Sequence, residues 1–140
     1  MSYATAQDVE ARLGPAAYVQ LTDDEQTGTA NVARVAEALQ AAEAEIDSRL
    51  ACRYATPVDV SGQPQAAALL KALTLDLVEH RLHARRPPVP EAVRDKATDA
   101  RQWLRDLTYG RAHLPVSQTV AENPAAGVMA EVSGAERIFR

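Results

Sequence analysis

Apolar residues recur along three long segments of the chain at the spacing of a helix that buries one face. The segments run from 30 to 53, from 64 to 84 and from 91 to 108. In the first, the apolar positions from Val32 to Leu50 step by three or four residues. In the second, Pro64 occupies a favourable first-turn position. The pattern predicts three long helices packed along their apolar stripes.

Signals at the ends of these segments support the assignment. Tyr54 to Pro57 ends the first helix, because the residue before proline is pushed out of the α region. Three prolines between 85 and 90 predict a stiff, extended break. Gly110 is a plausible left-handed residue after the last helix. Two shorter helices are predicted before the first long one: Thr5 and Asp8 form a capping-box pattern, and Pro15 can start a second helix.

The sequence therefore predicts a mainly α fold, a small helical bundle of three long helices plus short N-terminal helices, with an extended C-terminal arm. The helical domain spans 1–114 and the arm 115–140. We expect the 64–84 helix to be central. The predicted core residues are Leu39, Ile46, Leu50, Tyr54, Leu73, Leu77, Trp103 and Leu104.

The segment 115–140 carries no helical or strand period. Its apolar residues are interrupted by proline and glycine, so no run is long enough to fold alone. They are Val116, Val120, Val128, Met129, Val132, Ile138 and Phe139. An arm that becomes ordered on binding needs apolar anchors to offset the lost entropy, and we interpret these residues as such anchors. The alternative is an ordinary frayed C-terminus.

Composition narrows the class of protein. The 140 residues suit one domain, and a hydrophobic share of 46% with one Trp, one Phe and four Tyr indicates thin, alanine-rich helices. The formal net charge of −4 does not favour binding of the protein as a whole to nucleic acid.

The single cysteine, Cys52, excludes an internal disulfide, and we expect it to be buried and inert. No apolar stretch approaches the roughly 18 residues that span a bilayer, so a soluble intracellular protein is expected.

Candidate catalytic chemistry is sparse. Asp76, Glu79, His80 and His83 are the densest group of metal-ligand types, but they fall on adjacent strips of one helix and do not easily face one ion. We therefore predict neither a cofactor nor an enzyme. A metal-dependent hydrolase using Asp76, His80 and His83 is kept as an alternative. The acidic loop at 23–25 lacks the ligand alternation of a calcium site, and Asp24 or Thr29 is a candidate cap for the next helix.

Four arginines, Arg81, Arg85, Arg86 and Arg94, cluster around the proline break. Two alternatives follow: the arginines face DNA as the lining of a channel, or they face the acidic surface of a neighbouring subunit. The negative net charge and the lack of interleaved aromatic residues favour the protein contact. A small helical DNA-binding regulatory protein that uses this patch is the alternative function.

Several stretches also carry a family resemblance. The chain opens MSYATAQDVEARLG, with QLTD at 20–23, and residues 42–54 read A-x-x-E-I-D-x-x-L-x-x-R-Y. LDLVEHRL at 75–82 is followed by RRP at 85–87, and RQWL at 101–104 precedes Gly110. In this order the stretches resemble the Mu-like phage and prophage head–tail adaptor family, a domain long without an assigned function. The resemblance covers about 1–114.

The resemblance implies a structural role for the matched residues Ile46, Leu50, Tyr54, Leu77 and Trp103. It implies a neck component of the virion, assembled in the host cytoplasm, that docks beneath the portal protein as a ring of twelve copies. Such a ring joins the head to the stopper or tail-terminator protein and lets the packaged DNA pass. In this setting the C-terminal arm would reach into the portal, and many weak arms would act together through avidity.

Overall fold

The computed structural model describes residues 2–116, which form five helices and no strand. The helices are α1 (Ala6–Leu13), α2 (Pro15–Thr22), α3 (Val32–Leu50), α4 (Pro64–Ala84) and α5 (Glu91–Thr108). The predicted class, a mainly α bundle of three long helices preceded by two short ones, is confirmed. Within these residues no helix is long and apolar enough to cross a bilayer.

The N-terminal helices begin at the residues that the sequence singles out. The Thr5 hydroxyl accepts from the Asp8 N–H at 3.2 Å, and the Asp8 carboxylate accepts from the Thr5 N–H at 2.9 Å, which completes the capping box. Gly14, at φ 87°, ends α1 in a conformation that favours glycine, and Pro15 starts α2. The two short helices are therefore tightly joined.

The start of α3 differs from the prediction. Its N-cap is Asn31, whose side-chain oxygen accepts from the N–H groups of Ala33 and Arg34. Asp24 and Thr29, the predicted candidates, do not cap it. The helix ends at Leu50, earlier than the predicted 53, and a turn follows. Cys52 lies in this turn and is exposed, so the predicted buried thiol is wrong.

The predicted central position of α4 is confirmed. It contacts each of the other four helices, and its buried residues include Leu70, Leu73, Leu77, Val78 and Leu82. Because α4 is covered on several sides, its apolar residues are not confined to one narrow stripe. The other four helices pack around α4.

Seven of the eight predicted core residues are buried; they are Leu39, Ile46, Leu50, Tyr54, Leu73, Leu77 and Leu104. Trp103 is not: it is 44% exposed, so its assignment to the core is wrong. The buried face of α5 is formed by Val93, Ala97, Ala100, Leu104 and Leu107. Trp103 lies beside this buried face, on the exposed side of the helix.

The chain continues along the bundle after α5. Gly110, at φ 81°, takes the left-handed conformation predicted for it. The Leu114 side chain is buried, and its N–H donates to the Tyr54 hydroxyl at 3.0 Å. Val116, the first of the predicted arm residues, is partly buried against the core. Part of its side chain therefore packs on its own bundle, and its role as an arm anchor stays a prediction. The other six, Val120, Val128, Met129, Val132, Ile138 and Phe139, lie outside the described residues.

Candidate functional site

Polar residues of the stretches that carry the family resemblance connect separate elements of the bundle. The Tyr3 hydroxyl donates to the Asp47 carboxylate on α3 and accepts from the buried Val58 N–H at 2.9 Å. Burial and the hydrogen bond to Asp47 raise the pKa of Tyr3. Arg53 donates to the Leu107 carbonyl at 3.1 Å, near the end of α5. These residues connect separate elements of the bundle to one another.

The predicted metal-ligand group is divided in the structure. Arg12 from α1 lies 2.7 Å from the Asp76 carboxylate, and Lys96 from α5 lies 3.2 Å from that of Glu79. His80 instead lines a groove with residues of α3 and α5. Within 2–116 no three residues of metal-ligand type come together to hold an ion.

Three arginines converge on Asp24 in the loop after α2. Arg34 approaches its carboxylate at 3.2 Å and Arg86 at 3.0 Å, and Arg85 also binds it. Arg85 donates a further bond, of 2.9 Å, to the Leu21 carbonyl. The hydrogen bonds from Arg86 and Arg85 lower the pKa of Asp24 below its usual value. The loop is thereby fixed to the start of α3 and to the residues that follow α4.

A second convergence lies on α3. Arg81 from α4 binds the Glu45 carboxylate at 3.1 Å, and Arg101 from α5 binds it at 2.9 Å. Burial raises the pKa of Glu45, but the bonds from Arg101 and Arg81 outweigh that effect and leave the pKa below its usual value. Glu45 therefore links the three long helices through one ionised carboxylate.

Between these two convergences is an open groove of about 450 Å³ that we call the arginine groove. It is lined by Arg34, Glu37, Ala38, Ala41, His80, Arg81, Ala84, Arg85 and Arg101. The three alanines leave space, and the four guanidinium groups surround it. Each guanidinium has five N–H donors, so the internal bonds to Asp24 and Glu45 position these groups without using all their donors.

The electrostatic character of the arginine groove is positive. Burial lowers the pKa of His80, and the positive charges of Arg101, Arg81 and Arg94 lower it further against the opposing effect of Glu45. Arg94 is exposed, and its guanidinium forms no ion pair with another residue of the described part of the chain. Counting Arg86 and Arg94 beside the groove, six arginines face the four carboxylates of Asp23, Asp24, Glu37 and Glu45. Two positive charges are in excess in a chain whose net charge is −4.

The structure brings part of the predicted arginine patch together. Arg81 and Arg85 line the groove, and Arg86 shares Asp24 with Arg85. Sequence reasoning missed the groove itself and its acidic partners. Asp24 and Glu45 lie 61 and 36 positions from Arg85 and Arg81 in the chain, so no local spacing could have indicated these pairs.

Comparison with known protein families gives a match. A family described as Bacteriophage Mu, Gp36 matches residues 3–132. The match therefore extends past the 1–114 range of the motifs and includes most of the predicted arm. None of the curated proteins matches the chain significantly. Because the family match spans nearly the whole sequence, the chain belongs to the bacteriophage Mu Gp36 family.

Proposed function

We propose that this phage protein is a non-enzymatic head–tail connector. A ring of its copies docks beneath the portal protein in the virion neck, contacts the stopper or tail-terminator protein on the other side, and lets the packaged DNA pass through its centre. The expected ring has twelve copies. The observation that carries the proposal is the match to a phage family across residues 3–132, which takes in the bundle and most of the arm together.

The use of the motif residues inside the bundle supports a structural role. Glu45, Asp47, Asp76 and Arg85 all bind other parts of the same chain. A small domain fixed by such links can keep its shape while its outer surfaces and its C-terminal arm make the contacts of an assembly. The avidity of many arms makes a joint durable even when each arm binds weakly.

The arm is tested by deletion. A chain ending at Val116 keeps the partly buried packing of that residue and removes 117–140. We expect this variant to retain the helical circular dichroism and thermal midpoint of the full chain but to lose co-purification with the portal protein of the same phage. Undiminished portal binding by a folded truncated chain would refute the role of the arm.

Substitutions in the full chain locate the anchors. We expect Ile138→Ala with Phe139→Ala to weaken portal binding by on the order of 2 kcal/mol or more per arm, because a large apolar side chain in a pocket contributes that much at an interface. The matched control is Ser133→Ala with Glu136→Ala, which shortens polar side chains of the same arm. Calorimetric titration of the portal with each variant measures both effects, and equal affinities for the two pairs would exclude Ile138 and Phe139 as anchors.

A further inference from the structure

The outer surface of α5 carries an acidic stripe that has no partner in the described part of the chain. Glu91, Asp95 and Asp99 are spaced four residues apart and are exposed, and Trp103 continues the same spacing. We call these four residues the α5 stripe. Residues four apart lie on one side of a helix, so the three carboxylates and the indole form one continuous surface. None of the three carboxylates forms a hydrogen bond or an ion pair with another residue of 2–116.

The α5 stripe and the arginine groove are opposite in charge, and the groove has room for an aromatic side chain. The stripe offers three carboxylates, and the groove with its surroundings has two positive charges in excess of its own acids. The indole of Trp103 is the large apolar group, and the groove has about 450 Å³ lined partly by alanines. Arginine also packs favourably on the face of an indole, which makes a pocket of guanidinium groups and alanines suitable for Trp103.

The two surfaces cannot meet within one molecule. Arg101 reaches the groove from the flank of α5 that faces α3, whereas the exposed stripe lies on the outer side of the same helix. A contact between them therefore needs two copies, in which the stripe of one copy meets the groove of another. A contact between two different surfaces is heterologous, and repetition of such a contact closes a ring when the rotation between copies permits.

We propose that the arginine groove of one copy receives the α5 stripe of the next, with Trp103 as the apolar anchor and Asp95 and Asp99 bound by the groove arginines. This inference rests on the proposed connector function for its ring, and it names the surface by which the ring copies contact one another. Asp99 and Trp103 are one helical turn apart, on the order of 6 Å along the axis, so both enter one groove together.

The single tryptophan of the chain is a direct probe of this contact. We expect the fluorescence of Trp103 to shift to shorter wavelength, and its quenching by acrylamide to fall, as the full-length protein is concentrated at low salt. Sedimentation velocity on the same samples should show association over the same concentration range. A chain that remains monomeric up to millimolar concentration, with unchanged Trp103 emission, would overturn the proposal.

Charge reversal tests which residues form the contact. Asp95→Lys with Asp99→Lys should lower the association constant by about tenfold or more, because like charges then oppose each other across the interface. Adding Arg34→Glu and Arg94→Glu to the same chain should restore association, because every copy then carries both reversed surfaces. Arg94 has no ion pair among the described residues, and Asp24 retains Arg85 and Arg86 when Arg34 is replaced, so the fold should survive.

A matched control separates the contact from net charge. Glu10→Lys with Glu25→Lys changes the formal net charge from −4 to 0, as the stripe reversal does, at two exposed positions away from the α5 stripe and outside the arginine groove. We expect it to leave association within about twofold of the unmodified protein. Equal loss in the control and the stripe variant, or a failure of the four-residue variant to associate although it is folded, would overturn the proposal.

Two further measurements distinguish the interface from the connector function. If the protein self-associates as the charge exchange predicts but does not bind portal, the proposed interface is supported and the connector function is refuted. If the protein binds portal even after the stripe reversal but does not self-associate, the connector function is supported and the proposed interface is refuted. Binding of short duplex DNA is a separate test. If DNA binds the groove, if Arg34→Glu with Arg94→Glu abolishes this binding, and if DNA displaces the stripe of the second copy, the groove is a nucleic-acid site and the proposal is overturned.

Discussion

Replacing Glu45 by glutamine perturbs the residue that links the three long helices. The substitution keeps the size of the side chain but removes the charge that Arg81 and Arg101 bind at 3.1 and 2.9 Å. Two guanidinium groups then face each other across an uncharged amide. Because Glu45 is tied to both α4 and α5, its loss should lower the free energy of unfolding of the whole bundle.

The burial of the three side chains sets the magnitude. The Glu45 side chain is 17% exposed, whereas those of Arg81 and Arg101 are 38% and 33% exposed. A solvent-exposed pair contributes about 0.2–1 kcal/mol, and breaking a fully buried pair costs about 3–5 kcal/mol. The arrangement lies between these limits and nearer the first, because water reaches both arginines. We expect Glu45→Gln to lower the free energy of unfolding by about 1–2 kcal/mol.

Urea unfolding followed by circular dichroism measures this difference, and Glu37→Gln is the control. Glu37 pairs with Arg34 three positions earlier on the same helix, and its side chain is 66% exposed, so its loss should cost less than about 0.5 kcal/mol. Equal stabilities of the two variants at neutral pH would refute the linking role of Glu45.

The pH dependence gives a second check on the same residue. The folded-state pKa of Glu45 is lowered from 4.5, so its stabilising contribution is present above that value and is lost as the pH falls through the lower, folded-state pKa. Glutamine does not titrate in this range. The difference in unfolding free energy between the unmodified protein and Glu45→Gln should therefore be full at neutral pH and shrink below about 4.5. A difference that grows with acidification would contradict the ionised state.

Substitutions at three other residues test a buried hydrogen bond, an exposed indole and a helix cap. Tyr3→Phe should lower the free energy of unfolding in urea by about 1–3 kcal/mol, because it leaves the buried Val58 N–H without its acceptor. The control Tyr109→Phe, at a residue that is 69% exposed, should leave the free energy of unfolding unchanged. Trp103→Ala should change the unfolding free energy by less than about 0.5 kcal/mol, and a loss near the 3–5 kcal/mol of a buried aromatic residue would show that the indole is packed. Thr5→Ala should cost about 1 kcal/mol by removing the α1 cap, and Thr5→Ser should restore most of it.

The sequence predicted the helices well because their signals are local. The spacing of apolar residues located the three long helices, and the capping box at Thr5 fixed the start of α1. The misassigned residues are those at the edge of such a signal. Cys52 lies just beyond the end of α3. Trp103 lies beside the buried face of α5, where a small rotation of the helix decides whether a side chain is in the core or in solvent.

The arginine groove could be predicted only in part because its partners are distant in sequence. Arg85 and Arg81 were recognisable as a basic cluster, but their binding to Asp24 and Glu45 depends on how α3, α4 and the loop after α2 pack. Periodicity shows which residues share a face of a helix; it does not show which helix that face meets. The exposed side of α5 likewise depends on how this helix packs against α3 and α4.

The position of the protein in the virion tests the connector function most directly. Purified virions labelled with a gold-conjugated antibody against this chain can be imaged by electron microscopy, with particles lacking tails as a comparison. We predict a label at the junction of head and tail, where a ring beneath the portal would lie. A label confined to the tail tip, or virions that contain none of this protein, would contradict the account.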